Sequence, residues 1–270
     1  MLHRKHFTRH AALGALVGLA VLVALCAPRP GDAQGTDSPA TEGDGLPFFA
    51  GERLTYRVRV SRFGGSGKGE MTVEGPIYLR GTATYVLRSN VQTRVGPVKA
   101  VNRSESWLDV VRMATLRFRK HERSIVSNAA ESVELFPERR VWQAADGRAG
   151  ESGTDTPLDE LSFIYFLRTI PLAPDSAYRY DRHFDPARNP TIVRVLGREK
   201  VKTQAGTFTT LLVEMRVKDP ARYRREGVIR INMTDDHCRL PVRIVSDVPL
   251  AGEATLTLEA HSHPMAHGQE

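Results

Sequence analysis

From Leu54 onward, apolar and polar residues take turns along most of the chain. Leu54, Tyr56, Val58 and Val60 alternate with Thr55, Arg57 and Arg59. Successive side chains of a strand point to opposite faces, so a period of two describes a strand with one buried and one solvated face. After a turn at Gly64-Gly65-Ser66-Gly67 the pattern returns in Gly69–Val73, Ala83–Leu87, Val98–Trp107, Leu116–Arg119, Ser132–Phe136 and Arg140–Gln143. It resumes in Tyr178–Tyr180, Thr191–Leu196, Thr207–Val217, Val228–Met233, Val242–Val245 and Glu253–Leu258. Gly, Pro, Asp and Asn separate these runs. Most gaps are too short for a crossover helix, which leaves antiparallel pairing.

One segment breaks the pattern. Asp155-Thr156-Pro157-Leu158-Asp159-Glu160-Leu161 offers a helix N-cap, a proline suited to the first helical position and acids for the first turn. Leu158, Leu161, Ile164 and Tyr165 follow at helical spacing, Phe163, Phe166 and Leu167 widen the apolar face, and the run stops before Pro171. So apolar a helix has to be buried. The expected fold is mainly β: a large curved antiparallel sheet, or a partly closed barrel or β-spiral, wrapping one short buried helix at about residues 157–169.

The N-terminus reads as an export signal. A basic stretch without acids, Met1–His10, precedes seventeen uncharged residues, Ala11–Ala27, and then the small residues Gly31 and Ala33. Cleavage after Ala33 by the Sec route would leave the protein in a periplasm. Retention of residues 11–27 as an inner-membrane anchor is the alternative, since seventeen residues is at the short limit for a span. Residues 34–46 are Gly, Ser, Thr, Pro and acid and read as a disordered linker. A single β-rich domain is expected over residues 47–260, with a flexible tail over 261–270.

Removing residues 1–33 deletes four basic residues and one acid, so the formal charge falls from +7 to +4. The basic residues are spread along the chain among acids, with Arg222, Arg224 and Arg225 as the one tight cluster. That is the signature of solubility and not of nucleic-acid binding. The mature chain would keep Cys238 alone, so no internal disulfide can staple it.

The densest set of reactive side chains is Thr234-Asp235-Asp236-His237-Cys238-Arg239. As metal ligands these types qualify, but strand neighbours point apart and no second ligand cluster completes a shell. A polar turn whose Asp side chains cap backbone amides fits better. His261, His263 and His267 could take up a transition ion on a tail. His121 and His183 sit in charged runs typical of surface histidines. Catalytic Ser or Cys contexts and phosphate loops are absent, so catalytic, cofactor and metal residues are all read as none. Trp107, Phe118, Tyr165, Phe166 and Phe208 are read as core, or as the lining of an apolar cavity if the sheet curls far enough. Glu199–Phe208 reads as a hairpin with Gly206 in a positive-φ or bulge position.

Four segments together resemble a known family. Pro47–Val60 (PFFAGERLTYRVRV) is similar to its Gly-Glu-x-Leu-x-Tyr opening strand, and Leu158–Leu172 (LDELSFIYFLRTIPL) to its Leu-Asp-x-Leu-Ser-x-x-Tyr-x-Leu-Arg helix. Val195–Phe208 (VLGREKVKTQAGTF) is similar to its Gly-x-Glu-x-Val-x-Thr-x-Ala-Gly-Thr-Phe hairpin, and Ile231–Ile244 (INMTDDHCRLPVRI) to its Asp-Asp-x-x-Arg-x-Pro-Val closing segment. In order and spacing these resemble the bacterial envelope family called domain of unknown function 3108, over roughly residues 47–260. Asn232 departs from it, standing where the family carries an aromatic. The resemblance implies an extracytoplasmic protein with a large curved antiparallel sheet and transfers no catalytic residue.

These observations lead to a functional expectation with three branches. The first is a non-enzymatic periplasmic protein that binds an apolar, lipid-like ligand or an envelope partner through its curved sheet. The second is a structural or assembly factor of the envelope with no ligand pocket, and the third is a hydrolase. No cofactor is expected, and after cleavage any membrane association would be peripheral. An open pocket lined by Trp or Phe would favour the first branch, and a concave face filled by the helix the second.

Overall fold

The computed structural model describes residues 45–124, 128–219, 226–248 and 252–262. The first eight strands are β1 Arg53–Val60, β2 Gly65–Leu79, β3 Thr82–Val95, β4 Val98–Asp109, β5 Ala114–Arg123, β6 Asn128–Phe136, β7 Val141–Ala144 and β8 Ala149–Glu151. A single α-helix, α1 Glu160–Thr169, follows. The remaining strands are β9 Ala177–Tyr180, β10 Thr191–Thr203, β11 Gly206–Lys218, β12 Glu226–Thr234, β13 Pro241–Val248 and β14 Gly252–Ser262. All fourteen belong to one antiparallel sheet in the order β8-β7-β6-β5-β4-β3-β2-β1-β14-β13-β12-β11-β10-β9. The chain steps outward hairpin by hairpin to β8, crosses by way of α1 to the opposite edge at β9, and steps back until β14 pairs with β1.

The curved sheet is not closed, because β8 and β9 remain edges. Two residues before α1 nonetheless stitch the halves together. Thr115 N donates to Pro157 O (2.7 Å), Leu158 N to Arg182 O (2.7 Å) and Phe184 N to Leu158 O (3.1 Å). Pro157 therefore does not open the helix as expected. Asp159 does, because its carboxylate accepts from Leu161 N and Ser162 N while Ser162 Oγ accepts from Asp159 N. That capping box satisfies the Leu161 and Ser162 amides, which have no carbonyl partner within the helix. Asp159 is itself buried and also accepts from Ser106 Oγ (2.5 Å) and Thr115 Oγ1 (2.9 Å).

The apolar face of the sheet curls around α1. Leu161, Phe163, Tyr165, Phe166 and Leu167 pack with Leu54, Tyr56, Met71, Leu87, Leu108, Val193, Val213, Ile231 and Leu258 in one cluster drawn from both halves of the sheet. A smaller cluster joins Phe118, Val133, Leu135 and Trp142 to Phe184. Residues 261 and 262, expected in the flexible tail, belong to a strand. β14 runs through His261 and Ser262, because Leu54 and Arg53 offer them paired backbone, and the His261 ring lies 6.4 Å from that of Phe208. His263 and His267 lie outside the described residues, as do residues 1–44 of the expected signal and linker.

Three of the four motif segments meet at one buried ion pair. Arg168, near the end of α1, is 2% exposed and Glu52 1%. Nη1 and Nη2 donate to the two carboxylate oxygens at 2.7 Å each. The remaining guanidinium donors reach Pro47 O (2.6 Å) and Cys238 O (3.0 and 3.2 Å), and the group lies over the Phe48 and Tyr165 rings. Beside it Tyr56 Oη donates to Pro241 O (2.9 Å). Two buried ions are tolerated only when each is fully paired, and here the pairing ties the N-terminal segment, α1 and the 234–240 turn together. Removing one partner strands the other: Arg168→Ala is expected to cost about 3–5 kcal/mol in urea unfolding. The double variant Arg168→Met/Glu52→Leu should cost clearly less than the two single losses summed. Strict additivity would contradict the pairing.

Candidate binding face

The sequence candidates fall mostly into structural roles. In the 234–239 turn Asp236 Oδ1 accepts from Arg239 N (3.0 Å) and from Thr234 Oγ1 (2.7 Å), as a capped polar turn requires. His237 is exposed and Cys238 buried, so the two do not share an ion, and burial pushes the Cys238 thiol up, away from thiolate chemistry. Gly206 takes a φ of 137° in the tight turn between β10 and β11, as anticipated. Tyr165, Phe166 and Phe118 are core, but Trp107 is not. The register of β4 turns Ser106 and Leu108 inward and Trp107 outward, where Arg117 and Arg119 lie over its ring at 5.4 and 5.3 Å. Asn232 is a buried hub. It donates to Glu199 Oε1 (2.6 Å) and Thr210 Oγ1 (3.1 Å) and accepts from Arg243 Nε (3.0 Å), so a polar network occupies the family's aromatic position.

His183 is buried, contrary to its surface reading, because it follows β9 into the stitched seam and packs on Phe184. Around it gather Glu160, Lys120, Arg188, Asp219 and Glu131. Burial alone would raise the Glu160 carboxyl. Its ion pairs with Lys120 and Arg188 outweigh that and hold it at about 2. Burial, then Arg188, pushes His183 down to about 3. Its Nδ1 accepts from Asp185 N (3.0 Å), which leaves the proton of the neutral ring on Nε2. Each acid here is matched by a base, and the group serves to close the seam around the start of α1.

The concave face is filled by α1, so open space lies on the other face of the sheet. A groove of about 950 Å³ runs over β2, β3 and β4, and a cleft of about 540 Å³ continues it toward β5. Glu70 and Asn90 line both. Their linings are mainly charged, amide and hydroxyl side chains. Register explains the assembly. Thr55, Glu70, Asn90, Arg103 and His121 form one cross-strand row on the outer face, and Arg53, Thr72, Arg88, Glu105 and Arg119 the next. The acids are already taken: Glu70 by Arg53 (2.5 Å), Glu74 and Glu105 by Arg88, and Glu259 by Arg57 (2.8 Å). Lys68, Arg94, Lys99 and Arg103 are exposed and have no acid partner among the described residues, and Arg119 rests on Trp107. These are functional candidates that sequence reasoning passed over. Alternation puts them on the polar face, but only strand pairing shows them adjacent.

A family model described as a protein of unknown function, DUF3108, matches residues 55–259. Among solved structures, a β-barrel-like protein of domain of unknown function DUF1849 from Brucella abortus is similar, with a TM-score of 0.56 at 11% identity over 78% of this chain and 97% of that one. A Bacteroides fragilis protein with a YmcC-like fold is similar at a TM-score of 0.30 and 14% identity, over 80% and 98%. No curated protein matches the chain.

The seam sets a pH dependence. His183 stays neutral in the fold while the unfolded chain takes up a proton below about pH 6.5. Stability is therefore full at neutral pH and falls by about 1.4 kcal/mol per unit between about 6.5 and 3. Glu160, depressed in the fold, loses its contribution in the same direction below its ordinary range, while Glu131, raised by burial and by Glu160, opposes it. Thermal melts from pH 7 to 4 should show this decline. His183→Asn, which keeps an acceptor for Asp185 N, should flatten it, and an unchanged slope would discount the histidine.

Proposed function

With the chain a member of the DUF3108 family of proteins of unknown function, we propose that it is an exported, non-enzymatic protein of the cell envelope that meets its partner on the outer face of β1–β5. One observation carries this reading: α1 occupies the concave face, while the opposite face holds an open groove whose cations outnumber their acid partners. An apolar ligand would need a cavity, and that space is taken by Phe163, Tyr165 and Phe166. The filled interior also favours the second reading, a structural or assembly factor of the envelope, for which the same face would be the contact surface. Export rests on the basic and apolar N-terminal run, which lies outside the described residues. Among the described residues no helix is long and apolar enough to cross a membrane.

Two measurements test this. Fractionation of cells expressing the full chain should recover it outside the cytosol with Gln34 as its first residue, and an uncut cytosolic chain would end the export reading. Amine-reactive footprinting of the mature chain, with and without envelope extract at low salt, should show Lys68 and Lys99 shielded while Lys200 and Lys202 on β10 are not. Equal labelling of all four would remove the outer face as the binding surface.

A further inference from the structure

We propose that the groove over β2–β4, with its continuation toward β5, holds an acidic polysaccharide whose carboxylates are taken by Lys68, Arg94, Lys99, Arg103 and Arg119. This deepens the reading of the outer face as a binding surface and rests on it. Sheet stability does not account for these cations. Arg94 lies directly opposite Lys99 across β3 and β4. Like charges so placed oppose the sheet, whereas nearby Glu70, Glu74 and Glu105 are each matched to an arginine. The face thus builds ion pairs where it needs them and leaves a file of cations without them.

The arrangement suits a linear, hydroxylated polyanion. Cross-strand rows on one face are about 7 Å apart, and Arg94 with Lys99, Lys68, Arg103 and Arg119 occupy four successive rows of the outer face, spread over β2–β5. Ser66, Asn90 and Gln92 lie between the cations and offer neutral hydrogen bonds to hydroxyl groups. Tyr56, Ala100 and Val101 are the only apolar or aromatic side chains in the groove lining, so an amphipathic peptide or a lipid chain finds few side chains to bury against. A recessed groove also admits a chain more readily than the flat surface of a bilayer.

The test is fluorescence anisotropy with a labelled short oligogalacturonate and the folded mature chain. Binding is expected at low salt, weakening as sodium chloride rises, because exposed charge pairs are screened. Lys99→Glu and Arg103→Glu should each weaken it about tenfold or more. Lys202→Glu, an exposed lysine on β10, should leave it unchanged, and all three variants should melt with the parent. Neutral dextran should fail to compete. Competition by polyglutamate or duplex DNA at equal charge concentration, or equal binding to phosphatidylglycerol vesicles, would overturn the polysaccharide assignment. So would loss of affinity in none of the groove variants. If oligogalacturonate does not bind while envelope extract still shields Lys68 and Lys99, the polysaccharide is wrong and the face stands. If neither occurs, both fall.

Discussion

A fourteen-stranded sheet with one apolar face and two open edges has to cover that face, and α1 is what covers it. A short helix standing alone is marginal in water; this one exists because Phe163, Tyr165, Phe166 and Leu167 leave solvent together. The crossing from β8 to the far edge at β9 is thereby made through the interior, and the two halves of the sheet are held by the same element. Arg168 makes that dependence specific. A bidentate, fully bonded ion pair fixes the angle and depth of the helix in a way that apolar contacts alone leave loose, and it does so by gripping the backbone at Pro47 and Cys238.

The family motifs are therefore mainly a description of this assembly. Glu52, Arg168 of the helix and the Cys238 carbonyl of the closing segment are bonded in one group, Tyr56 to the Pro241 carbonyl beside it, and Asp159 to Ser162 in the helix cap. Residues of that kind mark how the fold is held, and they are buried. The cations proposed above as a contact surface, Lys68, Arg94, Lys99, Arg103 and Arg119, lie outside these motifs.

Much of the architecture was legible because alternation and helical spacing are local. The strands, the buried helix and the positive φ at Gly206 follow from neighbours in sequence. Pro157 misled because it is a valid first helical residue, but Asp159 with Ser162 makes a better box and frees Pro157 and Leu158 to bridge the seam. Trp107 misled because Ser104 and Ser106, which look like surface residues, face inward, Ser106 being bonded to Asp159. His183 looked solvated among Asp and Arg, yet the seam buries it. Asn232 gave no sign of its partners, which come from β10, β11 and β13.

The outer face was the least legible part, for a physical reason. Net charge and charge runs are read along the chain, whereas a sheet sums charge across it. Arg53, Lys68, Arg88, Lys99 and Arg119 stand eleven to twenty positions apart in the chain, with Glu70, Glu74, Glu105 and Asp109 among them, so the linear reading finds only ordinary solubility. Pairing then sorts them: Glu70, Glu74 and Glu105 come within reach of Arg53 and Arg88 and are paired, while Arg94 falls opposite Lys99. An interior sealed by α1 leaves the packing indifferent to what that face carries, so its charges are not set by the core. The two faces of this sheet answer to different constraints: one has to be buried and the other stays in water.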